Sequence, residues 1–355
     1  MLKGLSSLVC DFSDEGGMSD LDILFIAGDL FDAALWFSNE DVAHILLFMR
    51  KLMDWCERHE IKLRVLEGTP SHDRGQSKNL VPIAETFKDL DFRYIETMCV
   101  EGFYDLNITC LYVPDEFGGS ALQSQELIQA EMDNLGYDKL SIGIMHGMFK
   151  YQVPELASDR FKYDERFFLD RVQHFINIGH VHVFTTYERI IAQGSTDRLC
   201  HGEEGPKGGC LQVIDPIQGN SFFFVENKLA CLFVTVHVRV KDLDKGIEQI
   251  RKKAESLPAF SHIRIKAARN HPALNVFDQI SRDFPMLFFS KLTEEEEQEK
   301  NKLLTQQDLL DINYTPIHIT KENIVSMVMD GVKSKFSFRG EQLQKLENQL
   351  QSLVK

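Results

Sequence analysis

The chain of 355 residues carries 54 Asp and Glu against 39 Lys and Arg, a formal charge of −15, with 43% hydrophobic and 26% charged residues. That is globular composition with length for roughly two domains, and no window approaches the ~20 apolar residues that a membrane span needs. So acidic a chain grips a polyanion through local Lys and Arg, metal ions or a partner, and not through a bulk basic surface.

Met1 to Phe12 lacks the apolar core and cleavage site of a secretory signal, so a cytoplasmic location is expected. Seven dispersed cysteines (Cys10, Cys56, Cys99, Cys110, Cys200, Cys210, Cys231) form no C-x-x-C pair. They read as buried thiols, not as a disulfide framework or a zinc-thiolate site.

Up to about residue 225, short apolar runs alternate with longer periodic ones. Ile23 to Ala27, Leu63 to Leu66, Ile108 to Val113, Ile142 to Met145 and Phe175 to Ile178 have the length and flanking residues of buried strands. Val42, Ile45, Leu46, Met49, Leu52, Met53 and Cys56 recur at helical spacing over Asp41 to His59, with Ser38 placed to cap the helix. On that helix His44 and His59 read as solvated residues. Arg189 to Ile191, Gly209 to Asp215 and Phe222 to Val225 predict closely spaced antiparallel strands, hence a layered α/β domain and not a purely doubly wound one.

A break falls at Glu226 to Lys228. A β-α-β unit follows, with a strand at Leu232 to Val240, a helix at Leu243 to Leu257 and a strand at His262 to Lys266. Glu294 to Glu297 opens a polar helix or linker, and Leu343, Leu346, Leu350 and Leu353 close the chain at heptad spacing. The expected organisation is 1–226, 227–290 and 291–355.

The chemistry gathers where buried strands end. Ile23 to Ala27 runs into Gly28-Asp29-Leu30-Phe31-Asp32, and Leu63 to Leu66 into Glu67-Gly68-Thr69-Pro70-Ser71-His72-Asp73. Ile142 to Met145 runs into His146-Gly147, and Phe175 to Ile178 into Gly179-His180-Val181-His182. Functional groups of open α/β sheets collect beyond the carboxyl ends of strands, and glycine there permits close backbone approach. Singly, each piece is a turn, a core histidine or a loop pair. Four in succession point to a site for divalent transition ions, which carboxylate and imidazole suit.

This order resembles the calcineurin-like metallophosphoesterases, whose motifs run Asp-x-His, Gly-Asp-x-x-Asp, Gly-Asn-His-(Asp/Glu), His and Gly-His-x-His. The resemblance implies a layered sandwich of mixed sheets flanked by helices, with a small α+β capping domain and a helical C-terminal tail. It implies a two-metal site for Mn2+, with Mg2+ or Fe2+ as substitutes. Asp29 would bridge the ions, His146 and His180 hold one, His182 hold the other, and Asp32 and Asp73 support them. His72 would act catalytically over the phosphate. Ser71 stands where the family has its metal-binding Asn and is the poorer ligand.

Gln193-Gly194-Ser195-Thr196-Asp197-Arg198, Gly202-Glu203-Glu204 and Lys207-Gly208-Gly209 resemble a segment of the nuclease subunit of SbcCD-type DNA repair exonucleases. The form Gly68 to Asp73 is similar to a phage or prophage branch, in a bacterial or phage-infected cell. Implied partners are DNA and an SbcC-type SMC-like ATPase docked on the leucine heptad, with a second copy of the chain as a further candidate. Arg251, Lys252 and Lys253 are candidates for DNA phosphates.

One motif is missing. No His precedes Asp29, and Asp11 and Asp14 lie outside any strand signature, so the first metal site is incomplete. The expectation is a chain that begins late, with Met1 to Cys10 in the helix after the absent strand; a degenerate enzyme is the other explanation. The rivals to a DNA nuclease are therefore a non-catalytic scaffold of the same complex and a stand-alone phosphodiesterase for small phosphoesters.

Overall fold

A computed structural model describes residues 1–296 apart from 16–17, 32, 37–39, 116, 118, 153–160, 240–242, 276 and 295, and beyond them only single positions, 325, 329 and 350. Residues 1–300 form one unit and 301–355 a second. The leucine heptad, except Leu350, and the Ser38 cap lie outside the described residues, as does most of the polar stretch after Glu294.

In chain order the elements are α1 (Leu2–Leu8), β1 (Ile23–Ala27), α2 (Glu40–Arg58), β2 (Lys62–Leu66), α3 (Val81–Ala84), β3 (Phe92–Ile95), β4 (Cys99–Phe103), β5 (Ile108–Val113) and α4 (Ala121–Leu135). Next come β6 (Leu140–His146), α5 (Glu165–Arg171), β7 (Val172–Gly179), β8 (Thr185–Tyr187), β9 (Ile190–Ala192), β10 (Gly208–Val213) and β11 (Ser221–Glu226). The last described are β12 (Phe233–His237), α6 (Leu243–Glu255), β13 (His262–Ala267), α7 (Phe277–Asp283) and β14 (Phe288–Thr293). Residues 1–296 are thus a mixed α/β structure. No described helix is long and apolar enough to cross a membrane.

A parallel sheet of order β1-β2-β3 faces a six-stranded mixed sheet of order β4-β5-β6-β7-β9-β8. The period-two alternation of strands decides which side chains go where. Leu63 and Val65 of β2 pack outward on Met49, Leu52, Met53 and Trp55 of α2. Leu111, Val113, Ile176 and Ile178 of the larger sheet pack on Ile128 and Met132 of α4. Between the sheets lie Ala27, Leu66, Cys110, Tyr112, Ile142 and Ile144. The layers run helix, sheet, sheet, helix.

Arg64, 3% exposed in this middle layer, is answered by Glu101 of β4, with bonds of 2.9 and 3.0 Å, and by the Asp91 carbonyl at 3.0 Å. Burial is tolerable for a guanidinium so fully paired.

β10 and β11 pair as a separate antiparallel two-stranded sheet, and after the predicted break β12, β13 and β14 make a fully parallel sheet with its own core of Val236, Ile250, Ile263, Ile265 and Ile280. The predicted β-α-β unit is longer than the sequence suggested, because α7 and β14 add a second crossover. Arg251 is tied to Asp283 of α7, while Lys252 and Lys253 are exposed.

The cysteine expectation needs correction. Cys56 and Cys110 are buried, but Cys10 and Cys200 are exposed, because they lie in turns outside the packed layers.

Candidate metal centre

β1 and β2 of one sheet and β6 and β7 of the other deliver their carboxyl ends to the same place. Glycines make this approach possible. A Cβ on Gly179 would lie 2.1 Å from the Ala27 carbonyl oxygen, one on Gly28 2.2 Å from His146 Nδ1, and one on Gly68 2.1 Å from the Asp29 nitrogen. No side chain fits at such distances.

Asp29, His146 and His180 meet there, each offering a ligand atom within 4.8 Å of the others. His146 is fully buried, and its Nδ1 lies 2.7 Å from the Ala27 carbonyl. A carbonyl only accepts, so Nδ1 carries the proton and Nε2 turns toward Asp29 Oδ2 at 3.1 Å. In a neutral ring that would set a lone pair against a carboxylate. The pair therefore calls for positive charge between its atoms, either a second proton on His146 or a cation.

The electrostatics say the same. Burial opposes ionisation of Asp29, but the hydrogen bond and charge of His146 outweigh it, and the carboxyl falls from 3.8 to about 2. His146 is raised: burial disfavours its cation, and Asp29 more than compensates. His180 is lowered, by burial and then by the charge of His146. One carboxylate and two imidazoles without thiolate fit a borderline divalent ion such as Mn, Fe or Zn. Asp29 at φ 47° and His180 at φ 93° hold left-handed backbone, which for a histidine is strained. The strand ends impose these conformations and so aim both ligands inward.

The other predicted residues divide. His72 stands at the mouth, 39% exposed, its Nδ1 3.4 Å from Asp29 Oδ2. Asp73 is fully buried and accepts from the Phe31 and Gly68 amides at 3.0 and 2.8 Å, tying the loop after β1 to the loop after β2. Asp32 lies outside the described residues. Ser71 is exposed, and no hydrogen bond joins its side chain to the triad. Thr69 is there instead. Its hydroxyl lies 3.3 Å from Asp29 Oδ2, 3.2 Å from His146 Nε2 and 3.1 Å from His180 Nδ1, and its amide donates to Asp29 Oδ1 at 2.7 Å.

His182 stands apart from the triad. Its Nδ1 is 2.7 Å from Glu203 Oε1, and Lys207 Nζ donates to Glu203 Oε2, to Ser195 Oγ and to the His182 carbonyl. Residues 194–209 thus form a cage that fixes the His182 loop. Among the described residues one three-ligand cluster forms, where the resemblance implies two ions.

Glu203 is depressed from 4.5 to about 2: burial works against it, and the His182 hydrogen bond, the Leu199 amide and Lys207 prevail. A lowered acid contributes stability that is complete above its unfolded pKa and is lost as pH falls through its folded one. Stability should therefore decline between about pH 4.5 and 2, and Glu203→Gln should flatten that limb in acid titrations followed by circular dichroism. An unchanged limb would show that the cage does not hold this carboxylate.

Sequence reasoning passed over Thr69, which reads as a turn residue before Pro70. It also passed over Asp115, whose carboxylate adds negative charge beside both His146 and His180. The only signal for Asp115 was a Pro-Asp pair directly after a buried strand. The chain matches no protein-family model and no curated protein. What fold and site define by themselves is a layered α/β protein with a candidate Asp-His-His metal centre at converging strand ends.

Proposed function

We propose that the protein is a metal-dependent phosphodiesterase of the calcineurin-like class, acting on DNA as the nuclease subunit of an SbcCD-type exonuclease with single-strand endonuclease activity. An SMC-like ATPase would be its partner, and Mn2+ its ion. The observation that carries this reading is the buried His146 ring, proton-bonded to Ala27 on one side and turned toward Asp29 and His180 on the other. Support also comes from the motif order along the chain and from the cage around His182, which gives the segment resembling SbcCD nucleases a physical task.

Asp29, His146 and His180 would hold the ion. When bound, the ion polarises a phosphoryl oxygen and lowers the pKa of water. Asp29 balances its charge, and the Thr69 amide and Asp73 keep that carboxylate and its loop in place. His72, at the open side of Asp29, would give a proton to the leaving oxygen as the scissile P–O bond breaks, while the attacking water would lose a proton to solvent as its oxygen bonds to phosphorus.

The test is digestion of linear double-stranded and circular single-stranded DNA by the full chain, with and without Mn2+ and the ATPase. His146→Ala should reduce cleavage to background while circular dichroism is retained. Cleavage undiminished in that variant, or a wild-type chain that takes up no ion, would overturn the reading.

A further inference from the structure

The centre has three ionisable ligands, and the notable feature of its inner surface is a neutral one. Thr69 Oγ1 is 3.1 Å from His180 Nδ1, 3.2 Å from His146 Nε2 and 3.3 Å from Asp29 Oδ2, and Asp29 Oδ2 is 3.1 Å from His146 Nε2. An ion bound at about 2.1 Å separates adjacent donors by roughly 3.0 Å when they subtend a right angle and about 3.4 Å in a tetrahedron. These four separations fall between those limits, and the ligand atoms of Asp29, His146 and His180 all lie within 4.8 Å of one another. They suit donors gathered about one point.

A hydroxyl has one proton and two lone pairs. It donates to one of these partners at a time, and His146 Nε2 has a proton to offer only if the buried ring is cationic. Hydrogen bonds meet all three Thr69 contacts only if His146 is a buried cation and His180 donates from Nδ1; a metal ion shared by the four atoms meets them without a proton on Nε2.

We propose that Thr69 Oγ1 is the fourth protein donor of this centre, so that its neutral oxygen comes from the Gly68-Thr69 turn and not from Ser71. The proposal rests on the metal reading above and makes a finer claim. The local chain explains why Thr69 reaches in. Gly68 lacks the Cβ that would strike the Asp29 amide, the Thr69 amide is pinned to Asp29 Oδ1, and both Gly68 and the Asp29 loop are tied to Asp73. Pro70 then turns the chain outward, leaving Ser71 exposed. A donor set of one carboxylate, two imidazoles and one hydroxyl favours Mn, Fe or Zn over Mg or Ca.

The experiment compares Mn2+ binding by the full chain with that of Thr69→Val, Thr69→Ser, Ser71→Ala and His146→Ala, by calorimetry and by the electron paramagnetic resonance of Mn2+. Melting of the metal-free proteins runs in parallel. Thr69→Val keeps the shape of the side chain and removes its oxygen, and should weaken binding at least tenfold. Thr69→Ser should bind within about threefold of wild type, and Ser71→Ala like wild type. The metal-free melting temperature of Thr69→Val should stay near that of wild type, with only the Mn2+-induced rise reduced.

Wild-type binding retained in Thr69→Val, or lost in Ser71→Ala, would overturn the Thr69 assignment while leaving the metal centre standing. So would a Thr69→Val protein whose metal-free melting falls as far as its affinity, because that is the mark of a structural hydroxyl. A wild-type chain, and not only His146→Ala, that binds no Mn2+ would overturn both claims together.

Discussion

Gly179→Ala should destabilise the protein by about 3–5 kcal/mol and abolish Mn2+ uptake, whereas Gly143→Ala, nearby on a neighbouring strand, should be neutral or stabilising. At Gly179 the new methyl would lie 2.1 Å from the Ala27 carbonyl oxygen and 2.8 Å from His146 Nδ1, between the two partners of the hydrogen bond that sets the His146 ring. Backbone cannot yield as a flexible side chain does. Overpacking of a tight interior costs about 1–3 kcal/mol, and a buried polar group left without its partner roughly as much again. Moving β7 away from β1 also carries His180 away from Asp29, so binding fails with stability.

At Gly143 the same methyl meets Val172 and Ile176 at 3.6 Å and beyond, which is ordinary contact. Alanine there restricts the unfolded chain, a gain of about 0.4–1 kcal/mol. Equal denaturation midpoints for the two variants would refute the view that glycine at Gly179 serves close approach. Gly28→Ala should act like Gly179→Ala: it strikes the His146 ring at 2.2 Å and the Gly68 backbone at 2.7 Å in a turn with φ of +82°, and should lose both Mn2+ and stability.

What could be read beforehand follows from where the physical signal is local. Uninterrupted apolar runs gave β1 and β5 their observed bounds and placed β2, β6 and β7 to within a few residues, since a strand buried on both faces needs no alternation. Asp29, His146 and His180 stood out because they are the first polar groups after those runs. β3 and β4 went unread because Arg93 and Glu101 interrupt them. Those charges are satisfied only across strands, where Arg93 and Arg64 both reach Glu101.

The same holds for the parts of the site that the sequence concealed. Thr69 acts on residues 40, 77 and 111 positions away, and Glu203 on His182 21 positions away, so neither role has a spacing to betray it. The mismatch between one ligand cluster and two expected ions has a comparable origin. A Gly-His-x-His string fixes the identity of its second histidine but not its direction, and the cage from Ser195 to Lys207 decides that.

Lys207→Met is the other change expected to be severe. The ammonium is 2% exposed and donates to the His182 carbonyl at 2.8 Å, Ser195 Oγ at 2.8 Å and Glu203 Oε2 at 3.1 Å, using all three of its protons. Methionine fills a similar volume but returns none of these bonds. The variant leaves the Glu203 carboxylate, itself 13% exposed, held by His182, the Leu199 amide and the weak Cys200 thiol donor, with no cation bonded to it besides a protonated His182. Breaking one side of a buried pair costs about 3–5 kcal/mol, more than the pair contributes when intact, because the remaining charge has lost its compensation.

The double variant Lys207→Met/Glu203→Gln should accordingly be more stable than the sum of its parts, with a coupling of about 1–3 kcal/mol in urea denaturation. A Lys207→Met protein within 0.5 kcal/mol of wild type, or strict additivity in the double variant, would mean that the cage does not hold the His182 loop, and residues 194–209 would need another reason for their pattern.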